Sequence, residues 1–87
     1  MDKNRKVEFL CKVEKLAEKC FSEQSYTIFR LIEDCESLKR TYQDVPSSIF
    51  EGIDQIIKKW RDDADYSARN LIIDIANFKT KIIKKGN

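Results

Sequence analysis

Three aspartates within four consecutive positions, Asp62, Asp63 and Asp65, are the first group of side chains in the sequence that could do chemistry. Aspartate is a good N-cap, and negative charge near a helix N-terminus complements the helix dipole, so the run favours the start of a helix. The same carboxylates also fit an acidic knob that occupies a basic groove on a partner. Both interpretations stay open from the sequence, and the helix start is the simpler one.

Catalytic and metal-binding chemistry has little support in the composition. The sequence contains no histidine, the commonest general base and metal ligand. Its cysteines, Cys11, Cys20 and Cys35, form no Cys-x-x-Cys pair, and no glycine-rich loop is present to bind phosphate. We therefore expect no enzymatic activity, no metal and no cofactor. Helical spacing places Cys20 and Cys35 in the core and leaves Cys11 exposed.

A second candidate surface combines Tyr66, Arg69 and Ile73. Helical spacing turns Tyr66 and Ile73 away from the apolar stripe of the last helix, with Arg69 between them. Exposed aromatic residues beside arginine are typical of interface centres, although single exposed apolar residues are also ordinary. Phe29 also lies off the stripe of the second helix, and Phe50 lies at the edge of the stripe of the third. The predicted partner-binding residues are therefore Asp62, Asp63, Asp65, Tyr66, Arg69 and Ile73.

The C-terminal part of the sequence is basic, with four lysines and no acid after residue 75: Lys79, Lys81, Lys84 and Lys85. Cations stabilise a helix C-terminus, and Gly86 is a natural helix stop. The same lysines also fit a patch that contacts phosphates. Without arginine or interleaved aromatic residues, this pattern is a weak signal for nucleic acid, and the helix end is the better interpretation.

The elements that position these side chains are predicted to be helices. Two glycines and one proline argue against an all-β fold, and 41% hydrophobic residues argue against disorder. Apolar residues recur at helical spacing almost throughout, and we find no internal repeat and no linker. We expect residues 1–87 to form one all-α domain, an antiparallel four-helix bundle with helices near 4–21, 25–42, 48–61 and 65–84.

Two helix boundaries deserve separate predictions. Pro46 breaks the helical pattern, and Ser48 with Glu51 fits a capping box at the head of the third helix. Residues 61–65 contain no glycine or proline, and the apolar phase runs on, so helices three and four could be one continuous helix. We favour a break at Asp62–Asp65, because aspartate is a poor helix-interior residue. A continuous helix would need a second copy to cover it, so monomer and homodimer both remain open.

The compartment is predicted from two absences. No apolar run is long enough to cross a bilayer, and the first residues lack the apolar stretch of a signal peptide. An odd number of cysteines without a paired framework is typical of reduced thiols. We therefore expect a cytoplasmic protein without membrane contact.

Three short segments carry a resemblance to a known family: LKRTY at 38–42, VPSSI at 45–49 and DAD at 63–65. On these segments and on its length, the chain from about Thr27 to Ile83 resembles the small helical immunity proteins of the colicin D type. The resemblance implies a four-helix protein that binds the nuclease domain of a cognate bacterial toxin and blocks its active site. It also implies that acidic side chains replace RNA phosphates, here Asp63 and Asp65 with Asp62 beside them.

The sequence thus predicts a protein-binding inhibitor, with a bacterial immunity protein as the leading hypothesis. One alternative is a small helical nucleic-acid-binding protein that uses the basic ends of the chain. Another is a phage- or plasmid-encoded inhibitor of a host enzyme, and a third is a homodimeric structural subunit. An immunity gene should lie directly after a large toxin gene, and nucleic-acid affinity should fall steeply with salt.

Overall fold

The computed structural model describes residues 3–85, and side chains from residue 5 to residue 84. It contains four α-helices: α1 Lys3–Ser22, α2 Ile28–Thr41, α3 Ser47–Asp62 and α4 Ala68–Lys85. Each helix packs against the next, and α1 also packs along α4. The molecule is therefore an all-α antiparallel four-helix bundle, which confirms the predicted fold class. Gly86, the predicted helix stop, and the side chain of Lys85 lie outside the described part.

The core forms where the apolar stripes of the four helices meet on the bundle axis. Among the described side chains, everything buried is apolar, aromatic or cysteine, and no charged group is buried. Burying an aliphatic or aromatic side chain of this size stabilises the fold by about 1.5–3 kcal/mol. No helix within residues 3–85 has both the length and the apolar character of a membrane span. The fully buried large side chains are Phe9, Leu10, Val13, Leu31, Cys35, Tyr42, Ile53, Leu71 and Ile75.

The break between α3 and α4 confirms that residues 48–84 form two helices rather than one. α3 ends at Asp62 and α4 begins at Ala68, three residues later than predicted. The aspartates do not cap α4, because Ser67 lies at that position and its Oγ accepts a 3.4 Å hydrogen bond from the backbone N–H of Asn70. Asp63 stabilises the turn instead, where its Oδ1 accepts a 2.9 Å bond from the N–H of Asp65.

The predicted capping box at the head of α3 is wrong. α3 begins at Ser47, directly after Pro46, and no side chain accepts a hydrogen bond at this cap. The proline ring fixes φ at a value that a helix also uses, here −58°, so α3 can begin without a capping side chain. α2 begins three residues later than predicted. Thr27 is its N-cap, and the Thr27 side chain accepts a hydrogen bond from the N–H of Arg30.

The bundle consists of two helical hairpins of similar geometry, a structural repeat that the sequence analysis did not find. A shift of 40 residues carries Ser22, the end of α1, onto Asp62, the end of α3, and Ile28 onto Ala68. The two hairpin turns also share their backbone hydrogen bonds. Glu23 N–H donates to the carbonyl four residues earlier at 2.9 Å, as Asp63 N–H does in the second turn. Identical residues at this shift are Lys19 and Lys59, Tyr26 and Tyr66, Leu31 and Leu71, Ile32 and Ile72, Asp34 and Asp74, and Lys39 and Lys79.

Two reciprocal ion pairs show how the halves are arranged. Lys39 in the first half reaches Asp54 in the second at 2.7 Å, and Lys79 in the second half reaches Glu14 in the first at 2.8 Å. These four residues are equivalent under the 40-residue shift. An exchange of equivalent contacts is what a two-fold axis produces, whereas an open helical solenoid would make only one of them. The chain therefore folds as a pseudo-symmetric dimer of hairpins.

The symmetry is broken at the seams between the halves. α1 packs along α4 more extensively than α2 packs along α3. The close seam carries Ala17 and Ala76, whereas the equivalent positions of the open seam carry the larger Ile57 and Glu36. The wider seam leaves a groove of about 300 Å³ between α2 and α3, with Ile32, Cys35 and Ile57 among its lining residues. Small residues thus let one seam close, because they allow two helix axes to approach.

Candidate protein-binding surface

Both hairpin turns lie at one end of the bundle, because α1 and α3 run in one direction and α2 and α4 in the other. Asp62, Asp63 and Asp65 occupy the second turn, and all three are exposed. The sequence placed these carboxylates together, and the structure shows them on the outside of a short, hydrogen-bonded turn. We call these three exposed carboxylates the acidic turn; Lys58, Lys59 and Arg61 lie beside them on α3.

Comparison of the two turns separates the structural aspartate from the others. The first turn has Ser22, Glu23 and Ser25 where the acidic turn has Asp62, Asp63 and Asp65. Its backbone hydrogen bonds are nevertheless the same length, 2.9 and 3.1 Å. Serine therefore suffices at the first and third of these positions. Of the three carboxylates in the acidic turn, only that of Asp63 accepts a hydrogen bond from the backbone, from the N–H of residue 65.

The other two carboxylates, those of Asp62 and Asp65, form few contacts that stabilise the fold. Asp62 forms a 3.1 Å ion pair with its neighbour Arg61, and both side chains are about half exposed. Pairs of this kind contribute little to stability, because water screens them. Asp65 is outside every ion pair formed among the described side chains. The negative charge at 62 and 65 is therefore in excess of what the fold requires.

Tyr66 was predicted to point into solvent, and this prediction is wrong. Its ring packs against the core. Its hydroxyl donates to the carboxylate of Asp74 and lies 3.2 Å from the carbonyl oxygen of Asn70. The equivalent Tyr26 donates in the same way to Asp34. Burial raises the pKa of both tyrosines well above the usual value, and the hydrogen-bonded aspartates raise it further. Tyr66 is thus held by the fold and half-buried rather than fully exposed.

Arg69 and Ile73 are exposed, as predicted, one turn apart on the outer face of α4. Half of the Ile73 surface is open to solvent. Phe29 is exposed as predicted, but Phe50 is not: its ring meets that of Phe9 edge-on at 5.1 Å. Phe29 and Ile73 are therefore exposed apolar side chains, whereas Phe50 is half-buried.

Phe21 is an exposed aromatic residue that the sequence analysis did not single out. It is 62% exposed at the end of α1, and Phe29 is 72% exposed at the start of α2. Both therefore lie at the same end of the bundle as the acidic turn. The signal was present in the sequence, since Phe21 directly follows Cys20, the last residue of the α1 stripe. Two open phenylalanines and an excess of carboxylates thus share one end.

The thiols are placed to pack rather than to react. Cys35 is buried, and burial raises its pKa to about 12. Cys20 is half-buried, and burial with the nearby charge of Asp34 raises its pKa to about 11. Cys11 is half-buried too, so its predicted exposure is wrong. Within residues 3–85, no three histidine, cysteine or acidic side chains come together as a metal site would require.

The basic tail is partly neutralised. Lys79 forms a 2.8 Å ion pair with Glu14, and that hydrogen bond raises the pKa of the lysine. Lys81 and Lys84 are exposed. One of the four lysines therefore already has a carboxylate partner in the fold, which reduces the charge available for phosphates.

Comparisons with protein-family models, with curated proteins and with solved structures gave no match.

Proposed function

We propose that this chain is a protein-binding inhibitor, and specifically an immunity protein that neutralises a cognate bacterial nuclease toxin by covering its active site. The observation that carries the proposal is the excess charge at Asp62 and Asp65. The equivalent first turn has the same backbone hydrogen bonds with serines at these two positions. We therefore infer that the carboxylates bind a group outside the chain. A basic partner surface is the chemistry that they complement.

A nuclease active site is a suitable target for the acidic turn. Such a site is lined with cations that bind the phosphates of its substrate. Carboxylates held on a rigid bundle end can take the place of those phosphates, and opposite charge speeds the encounter. Phe21 and Phe29 at the same end supply apolar anchors, the kind of residue that dominates binding energy at interface centres.

Inhibition in this proposal is occlusion and involves no chemistry by the chain itself. The thiols at 20 and 35 have raised pKa values and are protonated at neutral pH, so neither is poised as a nucleophile. The chain would act in the cytoplasm of the cell that makes the toxin, where it protects that cell's own RNA or DNA.

The test is purification of the tagged chain from lysate of its source organism, treated with an unrelated nuclease to remove nucleic acid. We expect one partner in equal amount, with a nucleic-acid-cleaving activity that the pure chain suppresses. The double variant Asp62→Ser/Asp65→Ser, which copies the first turn, should lose suppression by about tenfold or more, the loss expected for two interfacial charges.

The matched control is Glu33→Ser/Glu51→Ser, which removes two exposed carboxylates from the outer faces of α2 and α3. Neither belongs to an ion pair among the described residues. Suppression should survive this change. A partner without cleaving activity, or equal loss in both double variants, would refute the proposal. Loss of every partner after removal of nucleic acid would favour the nucleic-acid-binding alternative.

A further inference from the structure

The seam between α1 and α2 is open where the equivalent seam between α3 and α4 is filled. In the second half, the ring of Phe78 sits directly on Gly52, so closely that a Cβ at this glycine would overlap it. The equivalent residues in the first half are Leu38 and Lys12. The shorter Leu38 leaves a shallow groove of about 350 Å³, lined by Lys12, Lys15, Leu16, Asp34, Ser37 and Leu38.

Lys12 and Lys15 line one wall of this groove, and Lys19 continues their stripe along α1 beyond the lining residues. Lys12, Lys15 and Lys19 follow one another at helical spacing and are exposed. They span eight residues, or about 10 Å along the helix. None of the six ion pairs between described side chains includes them. Lys12 and Lys19 lie over the rings of Tyr42 and Tyr26, but no described carboxylate neutralises any of the three lysines.

The rest of the groove is apolar or already satisfied. Leu16 and Leu38 are partly buried residues of the core cluster that reach the groove. The one acid that lines it, Asp34, accepts the hydroxyl hydrogen bond of Tyr26. The groove thus combines an apolar floor with one cationic wall.

We propose that this groove binds an acidic amphipathic helix of a partner protein. Apolar residues of such a helix would pack on Leu16 and Leu38, and its carboxylates would lie over the lysine stripe. Nucleic acid fits less well, because single strands need open aromatic faces for stacking. Tyr26 and Tyr42 are buried, and cations cover their rings, with Lys19 at 5.0 Å and Lys12 at 5.5 Å.

The second half of the chain provides the variants for a test. Lys15→Gln copies Gln55, its equivalent, and removes one charge at an exposed position. Lys12→Gly/Leu38→Phe copies Gly52 and Phe78, and so fills the groove with the side-chain pair that the fold already uses. The probe is a labelled 14-residue helical peptide with leucines on one face and glutamates on both flanks. Its control has lysines in place of the glutamates.

The full chain should bind the acidic peptide saturably, with amide chemical-shift changes confined to residues 12–19 and 34–38. Lys15→Gln should weaken binding by about threefold, as expected for one exposed charge pair. The filled-groove variant should lose binding while its thermal unfolding stays cooperative. The lysine control peptide should not bind.

Three outcomes would overturn the proposal. The first is no saturable binding of the acidic peptide, and the second is shift changes outside the α1–α2 seam. The third is a single-stranded RNA of equal charge that binds as tightly at the same residues, which would assign the groove to nucleic acid. Lys15→Gln keeps the test decisive if the filled-groove variant fails to fold, because unchanged affinity in that variant also contradicts the proposal.

Discussion

Lys79 Nζ lies 2.8 Å from Glu14 Oε1, although 65 residues separate the two in the chain. The equivalent pair, Lys39 and Asp54, meets at 2.7 Å across the other seam. The pairs differ in the shielding of their acids, because Glu14 is 22% exposed and Asp54 is 52% exposed, whereas the lysines are similar, with Lys79 at 22% and Lys39 at 15%. The better shielded pair also lies in the seam that packs more closely, so it should hold the two hairpins together more strongly.

Glu14→Gln should therefore destabilise the fold more than Asp54→Asn. We expect about 1 kcal/mol for Glu14→Gln and a few tenths for Asp54→Asn, in line with partly shielded and exposed ion pairs. Urea unfolding of both variants at pH 7 measures the difference. The two-seam account is wrong if Asp54→Asn costs as much as Glu14→Gln or more.

The paired tyrosines predict how stability depends on alkaline pH. Burial raises the folded-state pKa of Tyr26 and Tyr66 above their ordinary 10.0, and their aspartate partners add to the rise. In the unfolded chain they ionise near pH 10, so their contribution is complete below that pH and is lost as pH rises beyond it. Cys35, with its pKa raised to about 12, acts in the same direction above its ordinary 9.0. The unfolding temperature should thus fall steeply above pH 9.

The variant Tyr26→Phe/Tyr66→Phe provides the check on this pH dependence. Each change removes a hydrogen bond to a carboxylate, which costs about 1.5–3 kcal/mol at pH 7. Above pH 9 the double variant should lose stability less steeply than the parent, because the tyrosine ionisation is gone. Thermal unfolding followed by circular dichroism between pH 7 and 11 gives both slopes. Equal slopes would show that the tyrosines do not control alkaline unfolding.

Much of the fold could be predicted from helical spacing, because the core uses whole apolar stripes. The break near Asp62 was predicted, and so was the exposure of Phe29. The repeat was not, since only six of the 47 positions that a 40-residue shift pairs are identical. The halves share the pattern of burial and the turn geometry. Many different residues can form the same backbone hydrogen bonds, so this similarity requires few identical residues.

The candidate site could be predicted only in part. Stripe geometry treats each helix alone, so it misplaced Tyr66, whose ring is covered by packing and whose hydroxyl is bound by Asp74. The same limit applies to Phe50, which reaches Phe9 from the edge of its stripe. The α1–α2 groove exists because Leu38 is smaller than Phe78, its equivalent in the second half. That comparison requires knowledge of the repeat.

The effect of Gly52→Ala on the free energy of unfolding should change sign with the residue at position 78. In the parent, Gly52→Ala places a Cβ where the Phe78 ring lies, so the ring must leave its position. The lost packing should exceed the gain of about 1 kcal/mol in helix propensity, and the net effect should be destabilising. In a Phe78→Leu background the overlap is absent, because leucine is shorter. There Gly52→Ala should stabilise the fold by up to about 1 kcal/mol.

A double-mutant cycle from urea unfolding tests this coupling. It compares the parent, the two single variants and the double variant under one set of conditions. Additive effects of the two substitutions would mean that the ring does not occupy the space above Gly52. A favourable coupling in the double variant would support packing as the reason that the α3–α4 seam is closed.

The acidic turn predicts that stability and partner binding separate by residue. Asp63→Ala removes the acceptor of the 2.9 Å bond from the Asp65 N–H and should cost about 1 kcal/mol. Asp62→Ser/Asp65→Ser should change the free energy of unfolding by less than about 0.5 kcal/mol, because serines occupy the equivalent positions of the first turn. Urea unfolding of both variants is the measurement. A large stability loss in the serine variant would show that these carboxylates serve the fold itself, and the charge at 62 and 65 would then no longer indicate a basic partner.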